Sequence, residues 1–158
     1  MSVESAPPAI TVLIPVYNGE EYLREAVESI LNQSFRDFEA LIIDDGSTDG
    51  SLAILNEFAA QDERVRIISR ENRGLVATLN EGIEQANAPL IARMDADDIA
   101  LPERFALQVA YLTEHPEVVC VGGRYINIDE KNRILTYMDH LPTDDEGVQQ
   151  ALLAGNSV

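Results

Sequence analysis

Short apolar runs rich in β-branched residues alternate with longer stretches of helical periodicity from residue 9 to residue 123. Apolar runs of about four to eight residues favour buried strands, and apolar residues that repeat every three to four positions favour helices. The pattern predicts five strands, at residues 9–15, 38–44, 64–69, 89–94 and 117–123. Because short right-handed crossovers join such strands, the sequence predicts an α/β fold whose mostly parallel sheet has helices on both faces.

The third predicted helix, residues 73–86, contains a glycine, Gly82. Glycine disfavours a helix by about 1 kcal/mol relative to alanine. The apolar residues of this stretch nevertheless repeat with helical spacing, so we expect one side of the helix to pack on the sheet. That side is expected to consist of Val76, Leu79, Ile83 and Ala86.

The chain has a single cysteine, Cys120, which lies in the last predicted strand. A thiol in such an apolar run is expected to be buried and inert.

Beyond residue 123, two strand-like stretches flank residues 130–132 and predict a small hairpin near the C-terminal end. Thr143 and Glu146 then have the spacing of a helix capping box.

The chain of 158 residues is strongly acidic, with a net charge of −17 and eleven basic residues, of which only Lys131 is a lysine. Nucleic acids and anionic membrane surfaces attract Lys and Arg, so this charge argues against both as partners. No stretch reaches the roughly 18 apolar residues of a membrane span, and the N-terminus does not resemble a signal peptide, so we expect a cytoplasmic location. The length fits a single domain, predicted at residues 9–158 behind a flexible tail at residues 1–8.

Polar and acidic residues follow three predicted strands at their carboxyl ends, where ligands bind in open parallel sheets. The first strand leads into "PVYNGE", the second into "DDGSTD" and the fourth into "MDADD". Asp95 and Asp97 can both face one hard cation, because Mg²⁺ and Mn²⁺ take oxygen ligands and often keep substrate phosphates as well. Asp98 is expected to cap a helix or to support the site. The sequence thus predicts a metal site through which an acidic protein could bind a diphosphate.

Four segments together resemble the family 2 glycosyltransferases with the GT-A fold: "TVLIPVYNGEEYLREAVESILNQSF", "LIIDDGSTDGS", "ENRGLVATLNEGIEQA" and "MDADDIALPERF". They occur in the order and spacing of that family between Ile10 and Gly123, so the set is far more specific than any single motif. The resemblance implies a GT-A, Rossmann-like domain that binds a nucleotide sugar and uses Mn²⁺ or Mg²⁺ as cofactor.

The resemblance also implies roles for individual residues. Tyr17 would line the base pocket, and Asp44 or Asp45 would hydrogen-bond the base edge, which suits a uracil N–H. Asp95 would reach the ribose or the sugar, and Asp97, together with Asp95, would hold the metal on the diphosphate. The implied nucleotide-sugar-binding residues are Pro15, Tyr17, Asn18, Glu20, Asp44, Asp45, Asn72, Arg73, Asp95 and Ala96.

The implied activity is inverting transfer of a sugar, with UDP as the favoured nucleotide, to a hydroxyl of a saccharide or lipid-linked acceptor in cell-surface polysaccharide or glycolipid synthesis. A carboxylate base would take the acceptor proton. In the family this base follows the region matched here, so we expect it beyond Val158 and expect the chain to stop before the acceptor half. Leu79 stands where family members often carry an arginine, which leaves Arg73 as the basic residue near that helix.

Two other classes of protein also place aspartates at strand ends. In a phosphatase of the haloacid dehalogenase type, Asp95 would be the nucleophile and Asp97 the general acid, but that motif follows an early strand and requires a downstream lysine. In a receiver-like signalling module, Asp44 and Asp45 would hold Mg²⁺, and the third strand would lead to a phospho-accepting aspartate, where this chain has "SRENRG". A rise in thermal stability with nucleotides would distinguish the transferase from both alternatives.

Overall fold

The computed structural model describes residues 6–138, 142 and 144–153. The contacts divide the chain into two compact units, Met1–Ala110 and Tyr111–Val158. Of the predicted tail, residues 1–5 lie outside the described part, and residues 6–8 have no regular secondary structure. The single domain at residues 9–158 stays a prediction. Among the described residues, no helix has both the length and the apolar character needed to cross a membrane.

A four-stranded parallel sheet forms the centre of the first unit, in the order β3-β2-β1-β4. The strands are β1 (Ile10–Val16), β2 (Phe38–Asp44), β3 (Val65–Ser69) and β4 (Leu90–Arg93). Each strand is followed by a helix: α1 (Leu23–Leu31), α2 (Ser51–Gln61), α3 (Leu75–Gln85) and α4 (Arg104–Glu114). The predicted α/β fold with a parallel sheet is therefore confirmed.

Successive side chains of β1 point to opposite faces of the sheet, as in any strand. On one face, Val12 and Ile14 belong to the larger core, together with buried residues of α1, α2 and α4. On the other face, Leu13 packs with Leu41 and Ile43 of β2, and Leu79 of α3 contacts this cluster. Helices cover both faces, as the alternating pattern predicted.

Helix α3 contacts the sheet through only part of the predicted face, because Leu79 packs on the sheet as predicted whereas Val76 and Ile83 do not. Val76 and Ile83 are 72% and 55% exposed, whereas Thr78 and Gly82 are buried. A Cβ atom on Gly82 would lie 2.2 Å from Cδ1 of Leu13, so the helix approaches the sheet more closely than a side chain would allow. The apolar spacing identified Leu79 correctly but was wrong for Val76 and Ile83, because it could not anticipate the close contact at Gly82.

The predicted fifth strand and the predicted burial of Cys120 are both wrong. Residues 117–123 form no strand in the structure, Val119 is 96% exposed, and Cys120 is exposed as well. An apolar run becomes a strand only where another strand accepts its backbone hydrogen bonds. Within the described part of the chain, this run has no such partner.

The second unit contains an antiparallel hairpin and a helix. The hairpin pairs β5 (Tyr125–Ile128) with β6 (Ile134–Met138), which confirms the predicted hairpin. Its turn is held by the Asp129 carboxylate, which accepts hydrogen bonds from the backbone of Lys131 and Arg133. Helix α5 (Asp145–Leu153) follows. Thr143, the predicted cap, lies outside the described residues, and Asp144 accepts the Gly147 N–H at 2.8 Å instead.

Candidate functional site

The carboxyl ends of β2, β1 and β4 lie side by side and bring the three polar segments to one edge of the sheet. Val16 at the end of β1 pairs with Asp44 at the end of β2, and the Asp45 N–H donates to the Val16 carbonyl at 2.7 Å. On the other side of β1, the Met94 N–H donates to the Leu13 carbonyl at 3.1 Å. The strand order therefore agrees with the expectation from the sequence that these three segments lie next to one another.

A cleft of about 330 Å³ opens beside the ends of β1 and β2. This volume is near the lower limit for small-molecule sites in proteins, which span about 300–1,000 Å³. Tyr17 lines this cleft and 56% of its surface is exposed, so its ring is available to a ligand. The lining residues are Pro15, Val16, Tyr17, Asp45, Asn72, Gly74, Leu75 and Thr78.

Asp45 is a buried carboxylate in the wall of this cleft. It accepts hydrogen bonds from the Arg73 N–H at 2.7 Å, from the Gly74 N–H at 2.9 Å and from the Arg70 guanidinium. Burial alone would raise the pKa of Asp45, but these three donors outweigh it and hold the pKa below its ordinary value. A carboxylate has about four acceptor positions, and donors from the described residues occupy three of those of Asp45.

Asp44 has a different position from its neighbour and does not line the cleft. It is buried, and its two oxygens accept from the Ser47 N–H at 3.1 Å and the Ser69 hydroxyl at 2.8 Å. The turn that follows needs a glycine, because Gly46 has φ +76° and a Cβ atom there would lie 2.7 Å from the Asn72 nitrogen. Asp44 therefore orders the turn that fixes Asp45.

Asn18 and Glu20, both predicted to bind the nucleotide sugar, tie the loop after β1 to the loop after β2. Oδ1 of Asn18 accepts the Thr48 N–H at 2.8 Å, and the Glu20 carboxylate accepts the Gly50 N–H at 2.7 Å. The backbone N–H groups of residues 18, 19 and 20 donate to side chains of residues 47, 51 and 49 in return. Neither Asn18 nor Glu20 lines the cleft.

The acidic segment after β4, residues 95–99, lies against the loop after β1. The position of a Cβ atom on Gly19 is 3.6 Å from the Ala96 Cβ, which places the two loops in contact. Asp95 pairs with Arg93 at 2.5 Å and Asp97 is exposed.

Burial and the carboxylates of Asp95 and Asp97 raise the pKa of Asp98. Helix α4 begins only at Arg104, so Asp98 is too far upstream to be its cap.

The donor chemistry of the acidic segment fits a hard divalent cation. Within the part of the chain that the structure describes, no group of three or more His, Cys, Asp or Glu residues could hold a metal alone. Mg²⁺ and Mn²⁺ are usually bound by one or two carboxylates, with water and substrate phosphates as further ligands. Asp95 and Asp97 offer such an incomplete set, so they fit a cation that is shared with a diphosphate.

Five residues belong to this site but were not predicted: Val16, Arg70, Gly74, Leu75 and Thr78. Arg70 directly follows β3, so the strand-end rule that identified the other residues could have identified it. Of the predicted residues here, Asn72 lines the cleft, and Arg73 supplies a backbone N–H to Asp45 while its side chain is exposed.

The parallel sheet with helices on both faces is the architecture of a GT-A type of domain, the fold of the solved glycosyltransferases that this chain resembles. The sequence model of "Glycosyl transferase family 2" matches residues 11–154, and the chain belongs to that family. Membership of this family excludes the two alternatives considered from the sequence, the phosphatase and the receiver-like signalling module. It is 39% identical over 124 residues to glycosyltransferase GlyG of Streptococcus pneumoniae, covering 78% of this chain and 41% of GlyG.

Another relative and two solved structures extend the comparison. The amylovoran biosynthesis glycosyltransferase AmsE of Erwinia amylovora is 36% identical over 143 residues, covering 89% of this chain and 53% of AmsE. S. aureus TarS in complex with UDP-GlcNAc superposes with a TM-score of 0.64 at 28% identity, covering 68% of this chain and 32% of TarS.

The mannosyltransferase PcManGT of Pyrobaculum calidifontis, solved with GDP-Man and Mn²⁺, gives a TM-score of 0.62 at 24% identity, covering 71% of this chain and 36% of that protein. At this level of identity the likeness concerns the fold. The chain spans about half the length of the curated relatives it matches, or less.

Proposed function

We propose that this chain binds the donor of a glycosyltransferase reaction, a nucleoside diphosphate sugar with UDP as its nucleotide. The observation that carries the proposal is the position of Asp45, a buried carboxylate in the wall of a cleft, of whose roughly four acceptor positions the described residues occupy three. A uracil ring carries an N–H that needs such an acceptor. Tyr17 beside it offers an aromatic face for stacking, and Pro15 and Leu75 supply apolar contacts.

The diphosphate is proposed to lie between this cleft and the acidic segment. Asn72 and Arg73 would contact the ribose or the phosphates, Asp95 and Ala96 would contact the sugar side, and Asp97 with Asp95 would hold Mn²⁺ or Mg²⁺. When bound, such a cation neutralises the charge that develops on the leaving nucleoside diphosphate. Arg93 orients the Asp95 carboxylate through an ion pair at 2.5 Å.

Asn18, Glu20 and Asp44 would contribute indirectly, because each holds the loops that carry the contacting residues. The wider proposal is inverting transfer to a saccharide or lipid-linked hydroxyl in surface polysaccharide or glycolipid synthesis. The relative AmsE, named for amylovoran biosynthesis, supports it. The acceptor hydroxyl must pass its proton to a base, and we assign that role to none of the described acids.

Calorimetry with UDP and with pyrophosphate, each in Mn²⁺ and in EDTA, tests the proposal. UDP should bind more tightly than pyrophosphate and more tightly than GDP or ADP, and EDTA should weaken UDP binding. Asp97→Asn should remove the metal effect. Asp37→Asn is the control, because it removes the same charge at an exposed position that precedes β2. Equal UDP affinity with and without metal would contradict the metal assignment, and equal affinity for all three nucleotides would contradict the role of Asp45.

A further inference from the structure

Gln33 is a fully buried amide just beyond the C-terminal end of α1. Its Nε2 donates to the Leu101 carbonyl at 2.7 Å and to the Ser29 carbonyl at 3.2 Å, and its Oε1 accepts the Phe105 N–H at 3.1 Å. Burying an amide is unfavourable unless its hydrogen bonds are satisfied, and those of Gln33 are. One side chain therefore joins α1 to the segment that enters α4.

Two neighbours of Gln33 hold the same segment. The Ser29 hydroxyl accepts the Ala100 N–H at 3.0 Å, and the Ser34 N–H donates to the Pro102 carbonyl at 2.8 Å. Ala100 and Phe105 are themselves buried in the larger core. The end of α1 thus fixes the backbone from residue 100 to residue 105.

The acidic segment, residues 95–99, lies between this attachment and a second one. Met94 is buried, and its N–H donates to the Leu13 carbonyl at 3.1 Å. Five residues therefore connect two fixed points. Three of the five are aspartates, and like charges at this density repel one another. Without both attachments, repulsion would favour a more open arrangement of the three carboxylates.

We propose that Gln33 is a positioning residue, which holds the acidic segment in the conformation where Asp95 and Asp97 can share one cation with the diphosphate. The proposal rests on the proposed function. Gln33 contacts neither aspartate and acts through the backbone between Ala100 and Phe105. Residues that hydrogen-bond metal ligands typically contribute about 10–100-fold to metal affinity, and we take this range as the scale for Gln33.

The test is the Mn²⁺ affinity of the UDP-bound chain, measured by calorimetry for the parent and for Gln33→Met. Methionine keeps the length and unbranched shape of the side chain but removes its hydrogen bonds. We expect Gln33→Met to weaken Mn²⁺ binding about 10–100-fold. Uridine binding in EDTA should change less than about twofold, since the cleft is formed by other residues.

Leu55→Ala is the matched control, because Leu55 is a fully buried residue of α2 in the same core. It should lower the melting temperature but leave Mn²⁺ affinity unchanged. Should Gln33→Met fail to fold, Ser29→Ala removes only the hydroxyl contacts of Ser29 and should shift Mn²⁺ affinity in the same direction.

Parent-like Mn²⁺ affinity in the folded Gln33 or Ser29 variant, or an equal loss in Leu55→Ala, would overturn the positioning role alone. A parent chain whose UDP binding ignores Mn²⁺ would instead overturn the proposed function together with this inference.

Discussion

The guanidinium of Arg70 lies directly against the Asp45 carboxylate, with side chains that are 11% and 5% exposed. Arg70 also pairs with Glu81 at 2.7 Å and donates to the Thr78 hydroxyl at 2.9 Å. Arg70 is therefore shared by two carboxylates and partly offsets the charge of Asp45 in the cleft wall. In the proposed complex this lowers the repulsion between Asp45 and a negatively charged nucleotide, in a chain with a net charge of −17.

Removing Arg70 should strongly destabilise the chain. Arg70→Met leaves Asp45 buried without its charged partner, and breaking a buried pair in this way costs about 3–5 kcal/mol. Urea unfolding of the parent and the variant measures the difference. Arg24→Met is the control, because the pair of Arg24 with Glu57 is about half exposed, and exposed pairs contribute little to stability. Similar losses in both variants would show that the Arg70 pair has no special importance.

The free energy of unfolding should fall in acid, in part because of Asp45. The pKa of Asp45 is lower in the folded chain than the ordinary value of about 3.9, so its contribution is present above that pH and is lost as the pH falls toward the folded pKa. Unfolding measured between neutral pH and about pH 3 should show a steeper decline for the parent than for Asp45→Asn. Parallel curves would mean that Asp45 does not contribute to the acid sensitivity.

Tyr17→Ala should weaken UDP binding by about 1–3 kcal/mol, the range measured for stacking of a base on an aromatic ring. Pyrophosphate binding should change little, because the ring lies in the cleft wall and not in the acidic segment. Since Tyr17 is more than half exposed, its removal should barely affect the melting temperature. Tyr17→Phe keeps the ring and should bind UDP like the parent. An equal loss for UDP and pyrophosphate would place the base elsewhere.

Gly82→Ala should destabilise the chain even though alanine is the better helix former by about 1 kcal/mol. The new methyl group would meet Leu13 in the packed face of the sheet, and overpacking of this kind costs about 1–3 kcal/mol. Gly122→Ala is a suitable control, since nothing lies within 4 Å of a Cβ atom at that position. Thermal unfolding distinguishes the two variants, and a stabilised Gly82→Ala would mean that α3 can move away from the sheet.

The strand edge and its acidic segments could be predicted because both depend on local patterns. Tyr17 and Asp45 directly follow β1 and β2, Asp97 lies four positions after β4, and strand ends collect ligands in parallel sheets. The role of Gln33 was not predictable, since its partners lie 67–72 positions away in the chain. Two features depend on contacts between distant segments: which residues of α3 pack on the sheet, and the absence of a strand at residues 117–123. Hydrophobic periodicity carries no information about such contacts.

The hydrogen bonds that join the loop of residues 18–20 to the loop of residues 47–51 also affect the entropy of binding. They involve the backbone N–H groups of residues 18, 19, 20, 48 and 50. Freezing a mobile residue on binding would otherwise subtract from affinity. In the proposed complex, these contacts order the loop that continues from Tyr17, so less conformational entropy is lost when a nucleotide binds and more of the contact energy remains as affinity.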